Sequence, residues 1–105
     1  MDEYKDQAVK NAKMTEKQSR AAAKNPALGP TFFGERVDFE FRKLVKSDDW
    51  LTERVKLTPR GKFGPDVTLK DGGTWWDVTT SHSWARHEDK YADLGRGIPL
   101  LYQRP

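Results

Sequence analysis

The chain has 105 residues, 35% of them hydrophobic and 33% charged, with a net charge of +3 from 19 basic and 16 acidic side chains. That length suits one small domain and not two, and at a mean hydropathy of −0.91 no stretch approaches the ~20 apolar residues of a membrane-spanning helix. Cysteine is absent, which excludes disulfide staples, thiolate catalysis and cysteine-based zinc sites, while a pI of about 9.2 permits a polyanionic partner without making the chain histone-like.

Residues 1–10 hold three acids and no apolar run, so they read as neither a secretory signal nor a transit peptide, and any export address belongs to another segment. Residues 2–24 are rich in Lys, Gln, Asp and Ala, with Tyr4, Ala8, Val9 and Ala12 as the only helical stripe. They are expected to form a polar helical lead, solvated or docked on the domain or on a partner. The Pro- and Gly-containing string over 25–30 is a breaker, so the compact domain is placed at 31–105 and the lead at 1–30. The four tryptophans, at 50, 75, 76 and 84, put the core in the second half.

Over residues 33–46, Phe33, Val37, Phe41, Leu44 and Val45 recur at helical spacing. The run is longer than an ordinary strand, which favours a helix although Val37, Phe39 and Phe41 also alternate. Residues 50–58 read as a half-exposed strand ending at Pro59, followed by the basic loop that carries Arg60 and Lys62. Two β-prone runs, 66–69 and 74–80, flank Lys70-Asp71-Gly72-Gly73, and Asp-Gly is a favoured centre for a tight turn, so 65–80 is a β-hairpin. Residues 81–94 form the next helix, with Ser81 or Ser83 as its cap and Gly95 as its stop. The apolar run over 97–102 is then a buried strand reached by a helical crossover. The predicted class is α/β (α+β), a small mixed sheet in the order helix, strand, hairpin, helix, strand.

A hairpin symmetric about Asp71 and Gly72 pairs residues whose numbers sum to 143, which sets Asp66 opposite Asp77 on one face with Cβ atoms ~5 Å apart. Two carboxylates so placed repel unless they share a proton or a cation, and oxygen donors at that separation suit Mg²⁺ or Mn²⁺. On the helix, Glu40 falls on the inward stripe beside Val37 and Leu44, where a carboxylate needs a partner. Trp75 shares the face of the two aspartates and is expected to line a nucleotide cleft, whereas Trp76 belongs to the core. Arg54, Lys56, Arg60 and Lys62 lead toward the acids and are candidates for tracking a phosphate backbone. His87 is weighed as a proton shuttle against a packed, hydrogen-bonded histidine.

Gly64-Pro-Asp66, a hairpin and then Trp76-Asp77-Val78-Thr79 resemble the PD-(D/E)xK motif of restriction-endonuclease-like nucleases, over roughly residues 33–102. The chain looks most like the small nuclease toxin domains at the C-termini of bacterial contact-dependent-inhibition, Rhs and other polymorphic toxins. The resemblance rests further on Phe63, Trp84, His87, Lys90, Tyr91 and the run from Gly97 to Leu101. It implies a restriction-endonuclease-like core in which Asp66 and Asp77 ligate a divalent metal, the Val78 carbonyl completes the site and Glu40 is the helix acid. The motif lysine is replaced by Thr79, which is grouped with Arg60, Lys62 and Trp75 as substrate-facing; Lys90, from the following helix, is the candidate replacement cation, with His87 one turn before it.

The implied activity is metal-dependent hydrolysis of DNA or RNA, including tRNA, by an antibacterial toxin. The implied partners are the nucleic acid and a cognate immunity protein, with a monomer as the default. Delivery would be as the C-terminal part of a larger secreted polypeptide, with action in the target-cell cytoplasm. Two other expectations stand beside this one. The first is a noncatalytic nucleic-acid-binding domain, and the second an interaction domain in which Arg or Lys neighbours satisfy Asp66 and Asp77.

Overall fold

The computed structural model describes residues 1–103, a mixed α+β fold in which helices pack on a four-stranded sheet. Helix α1 (Asp2–Asn11) carries Asp2 and Glu3 in its first turn and Lys10 in its last, the charge order that suits the helix dipole. It is docked, not free. Ala8 is fully buried in the main core, with Met1, Tyr4, Val9 and Ala12 packed against the same cluster. A methyl at position 8 lets the helix approach its neighbour closely. Tyr4 Oη donates to Asp48 Oδ2 at 2.6 Å, and this bond raises the tyrosine pKa and lowers that of the carboxyl. Helix α2 (Glu16–Lys24) opens on a reciprocal capping box between Thr15 and Gln18 and buries no residue, so it alone matches the solvated lead.

Helix α3 (Leu28–Lys46) begins five residues before the expected start at Phe33. Pro30 does not break it, because a proline in the first turn removes an N–H that has no intrahelical acceptor. Val37, Phe41 and Val45 form its buried face. The strand expected over 50–58 is instead a single helical turn, α4 (Asp49–Thr52), and a short strand, β1 (Val55–Leu57). Asp48 causes the change: its Oδ1 accepts from Leu51 N–H at 3.1 Å and caps the turn.

The hairpin strands are β2 (Val67–Leu69) and β3 (Thr74–Thr79), paired antiparallel as Val67 with Trp76 and Thr68 with Trp75, the register expected from the turn. Gly72 donates to the Leu69 carbonyl at 2.8 Å, and Gly72 and Gly73 take φ of 80° and 84°, a left-handed pair suited to glycine. Helix α5 (Ser81–Lys90) and a 3-10 turn (Ala92–Leu94) return the chain to β4 (Arg96–Leu101), which lies parallel to β3. Thr80 stands at the cap position of α5 in place of Ser81 or Ser83. The sheet order is β1-β2-β3-β4. β4 is therefore an edge strand, and of its residues only Leu100 is buried, against the expectation of a buried strand. Its inward N–H groups include Arg96, donating to Gly73, and the next residue beyond the strand, Tyr102, donates to Thr79.

Each sheet face has its own cover. Val55, Val67 and Leu100, with Leu57, Leu69, Trp76 and Val78 beside them, join Val37, Phe41, Val45 and Ala8 in the main core, so the core draws on the first half of the chain as much as the second. Trp50 is exposed and stacks under Arg54 at 4.1 Å. The opposite face carries Trp75, with Trp84 at 5.5 Å and Tyr91 at 5.4 Å between ring centroids. A Cβ on Gly97 would stand 2.3 Å from the Trp75 ring, so only glycine lets the indole lie against β4.

Candidate functional site

The hairpin register, continued one pair beyond its last ladder rung, sets Asp66 opposite Asp77. The two side chains complete the ladder there. Asp66 N–H donates to Asp77 Oδ1 at 2.7 Å, and Val78 N–H donates to Asp66 Oδ2 at 2.9 Å. The remaining oxygens meet cationic or titratable groups: Asp66 Oδ1 lies 3.3 Å from Arg42 Nη2, and Asp77 Oδ2 lies 2.5 Å from His87 Nδ1. An ionised carboxylate only accepts, so the second bond puts the proton on Nδ1 and leaves Nε2 as the nitrogen free to exchange one.

Burial pushes the Asp66 carboxyl up to about 7, with Asp77 and then Asp38 adding to the rise against the Val78 N–H and Arg42. Arg42 does not offset it because its charge is shared. Its Nε lies 3.0 Å from both oxygens of Asp38, one turn earlier on α3, and its Nη1 donates to the Thr58 carbonyl. Asp66 receives only the remaining Nη2, at a distance beyond the ~2.7–2.9 Å of a strong charge-assisted bond. Arg60 reaches Asp38 at 3.9 Å. Asp38, Asp66 and Asp77 thus outnumber Arg42 and Arg60 by one when His87 is neutral.

The structure brings Asp66, Asp77 and His87 together as expected, and it corrects three other placements. Glu40 is buried, yet its described partner is Lys43 Nζ at 3.0 Å, without hydrogen-bond geometry, since Oε2 has no hydrogen-bond partner. The helix acid that couples to the pair is Asp38. Lys90 lies over the Phe63 and Tyr91 rings, at 5.1 and 5.3 Å from their centroids, and the cation beside Asp66 is Arg42. Trp75 is fully buried beneath Trp84 and Tyr91 and presents no face to a nucleotide. Val78 meets the pair through its N–H, which donates to Asp66 Oδ2.

Thr79 is buried and lines a cleft of about 460 Å³ with His87, Val78, Ser83 and the start of α3. Arg60 stays near the site, whereas Lys62 is exposed and its described bond is a main-chain turn to Pro59. Asp38 and Arg42 were legible as an i,i+4 pair of opposite charge, but the apolar stripe gives no sign that this flank of α3 crosses the open end of the hairpin.

Among the described residues no group of three or more His, Asp or Glu side chains is arranged to hold a metal ion. Asp66 and Asp77 nonetheless fit a hard divalent cation as a two-carboxylate donor set. Their oxygens are the preferred donor type, and the Asp66 carboxyl is raised first by burial and then by the neighbouring charges of Asp77 and Asp38. No family model, curated protein or solved structure matches this chain.

Proposed function

We propose that this chain is a divalent-metal-dependent nuclease that hydrolyses phosphodiester bonds of nucleic acid and acts as an antibacterial toxin domain. The observation that carries this reading is the Asp66 and Asp77 pair, two carboxylates held across a hairpin with one pushed up to about 7, beside a histidine and an arginine. The resemblance of the Pro65-Asp66 and Asp77-Val78-Thr79 segments to the PD-(D/E)xK motif supports it.

In this reading Asp66 and Asp77 hold Mg²⁺ or Mn²⁺, which when bound polarises phosphoryl oxygens and acidifies a water. The chain's own groups supply the rest. Arg42, held by Asp38, offers fixed positive charge to the phosphoryl oxygens, the part left vacant by Thr79 at the motif's lysine position. Asp77 orients His87 through Nδ1, so that Nε2 can move a proton. A nuclease active in the cytoplasm endangers its producer, so the reading includes a cognate immunity protein. It also includes delivery as the C-terminal part of a larger secreted polypeptide into a target cell's cytoplasm.

The test is cleavage of plasmid DNA and total tRNA by the purified protein with Mg²⁺ or Mn²⁺. EDTA is expected to stop it, and Asp66→Ala and Asp77→Ala each to reduce it by at least about a hundredfold. Full activity in either variant, or no cutting of any nucleic acid, overturns the assignment. A second reading, a noncatalytic nucleic-acid-binding domain, is favoured by one observation: all four carboxylate oxygens already have protein partners. It predicts binding with no metal-dependent cutting.

A further inference from the structure

Between α3 and the end of β1 runs a groove of about 590 Å³. Its apolar surface is Phe39, Leu57 and Pro59, and Lys43, Lys46 and Arg60 stand around it, with Arg42 at its lining as well. No acidic side chain lines it among the described residues. Phe39 is 43% exposed, unlike the core phenylalanine Phe41 two residues on. Its ring is flanked by cations of its own helix, with Arg36 Cζ at 4.5 Å and Lys43 Nζ at 5.6 Å from the centroid. Core packing gives no reason for an aromatic ring at this position.

We propose that this groove binds a single strand of nucleic acid, with an unpaired base stacked on Phe39 and the flanking phosphates on Lys43, Lys46 and Arg60. The proposal rests on the nuclease reading and names the form of its substrate. An exposed ring set in a positive groove is the combination that binds single strands, because every base has a π-face and every nucleotide a phosphate. Duplex DNA offers base edges in its grooves and keeps the base faces stacked, so its bases cannot reach the ring. Arg42 joins the groove to the site: it lines one and touches Asp66 in the other. A strand lying along the groove therefore brings a phosphate toward the carboxylate pair. The chemistry recognised, an unstacked base between phosphates, is common to DNA and RNA.

The test is fluorescence anisotropy in EDTA, where nothing is cut, with labelled single-stranded DNA, single-stranded RNA and a duplex of equal length. The wild-type chain is expected to bind at least one single strand several-fold more tightly than the duplex. Phe39→Ala should weaken that binding by about tenfold, with Phe39→Trp restoring it. Lys43→Glu with Lys46→Glu should also weaken it and lower its salt dependence. Phe39 is on the surface, so unchanged circular dichroism and melting should accompany the loss.

Unchanged affinity in Phe39→Ala, or a duplex bound as tightly as the single strands, overturns the proposal. So does binding of polyglutamate in place of any oligonucleotide, which would assign the groove to an acidic protein. The two readings fail separately. A wild-type chain that cuts nothing while Phe39→Ala loses binding ends the nuclease and keeps the groove. A chain that cuts with metal while Phe39→Ala changes neither binding nor cutting ends the groove alone.

Discussion

Asp66 is a carboxyl that the fold prefers protonated, and this has a sign. Its native value of about 7 lies above the unfolded 3.8, so between those limits the native state holds more of the proton than the unfolded chain does. Stability from this group is full below about pH 4 and is lost as pH rises through about 7. Without metal, the urea midpoint is expected to fall between roughly pH 4 and roughly pH 7 and to level off above that. Asp66→Asn, which keeps an oxygen for the Val78 N–H, should flatten that fall and exceed the wild type in stability at the alkaline end. Parallel pH profiles for the two proteins would show that Asp66 is ionised in the native state throughout. Individual residues were legible from the chain wherever a local rule applied. The Asp-Gly turn sets the register, and the register alone puts Asp66 opposite Asp77.

At the scale of elements, local rules stop where one element crosses another. Helical periodicity found the inward face of α3 and drew attention to Glu40 on it, but Asp38 and Arg42 act from the flank, where the crossing with the hairpin decides what they touch. Strand alternation put Trp75 with the aspartates, as observed, yet could not show that Trp84 of α5 and Tyr91 just after it cover that face. The lead showed the same limit: the spacing of Tyr4, Ala8 and Ala12 was visible, whereas its docking depends on a partner surface, α3 together with Asp48 and the core of the sheet, that exists only in the folded molecule. Ala8→Asp tests that docking. It puts an unpaired charge into the main core and is expected to lower the unfolding free energy by about 3 kcal/mol in urea melts. A solvated lead would tolerate the substitution with no shift in midpoint.

For the whole molecule, a radius of gyration of 14.2 Å slightly exceeds the ~13 Å usual for a compact chain of this length, and the long axis is 44 Å, in keeping with a second helix that buries nothing. The sheet is open at both sides, and its six-residue side is β4. Arg96 and Tyr102 send their N–H groups inward to β3, so by alternation Gly97, Pro99 and Leu101 face outward. Pro99 has no N–H to offer. The middle donor of three is therefore missing on the rim where a second chain would add a strand, a common safeguard against sheet-to-sheet aggregation. Pro99→Val restores that donor within Ile98, Leu100 and Leu101 and should promote concentration-dependent self-association, read by light scattering, while the wild-type chain stays monodisperse. The ring that interrupts β4 thus acts outside the fold it belongs to, by ending the hydrogen-bond ladder at the molecule's own boundary.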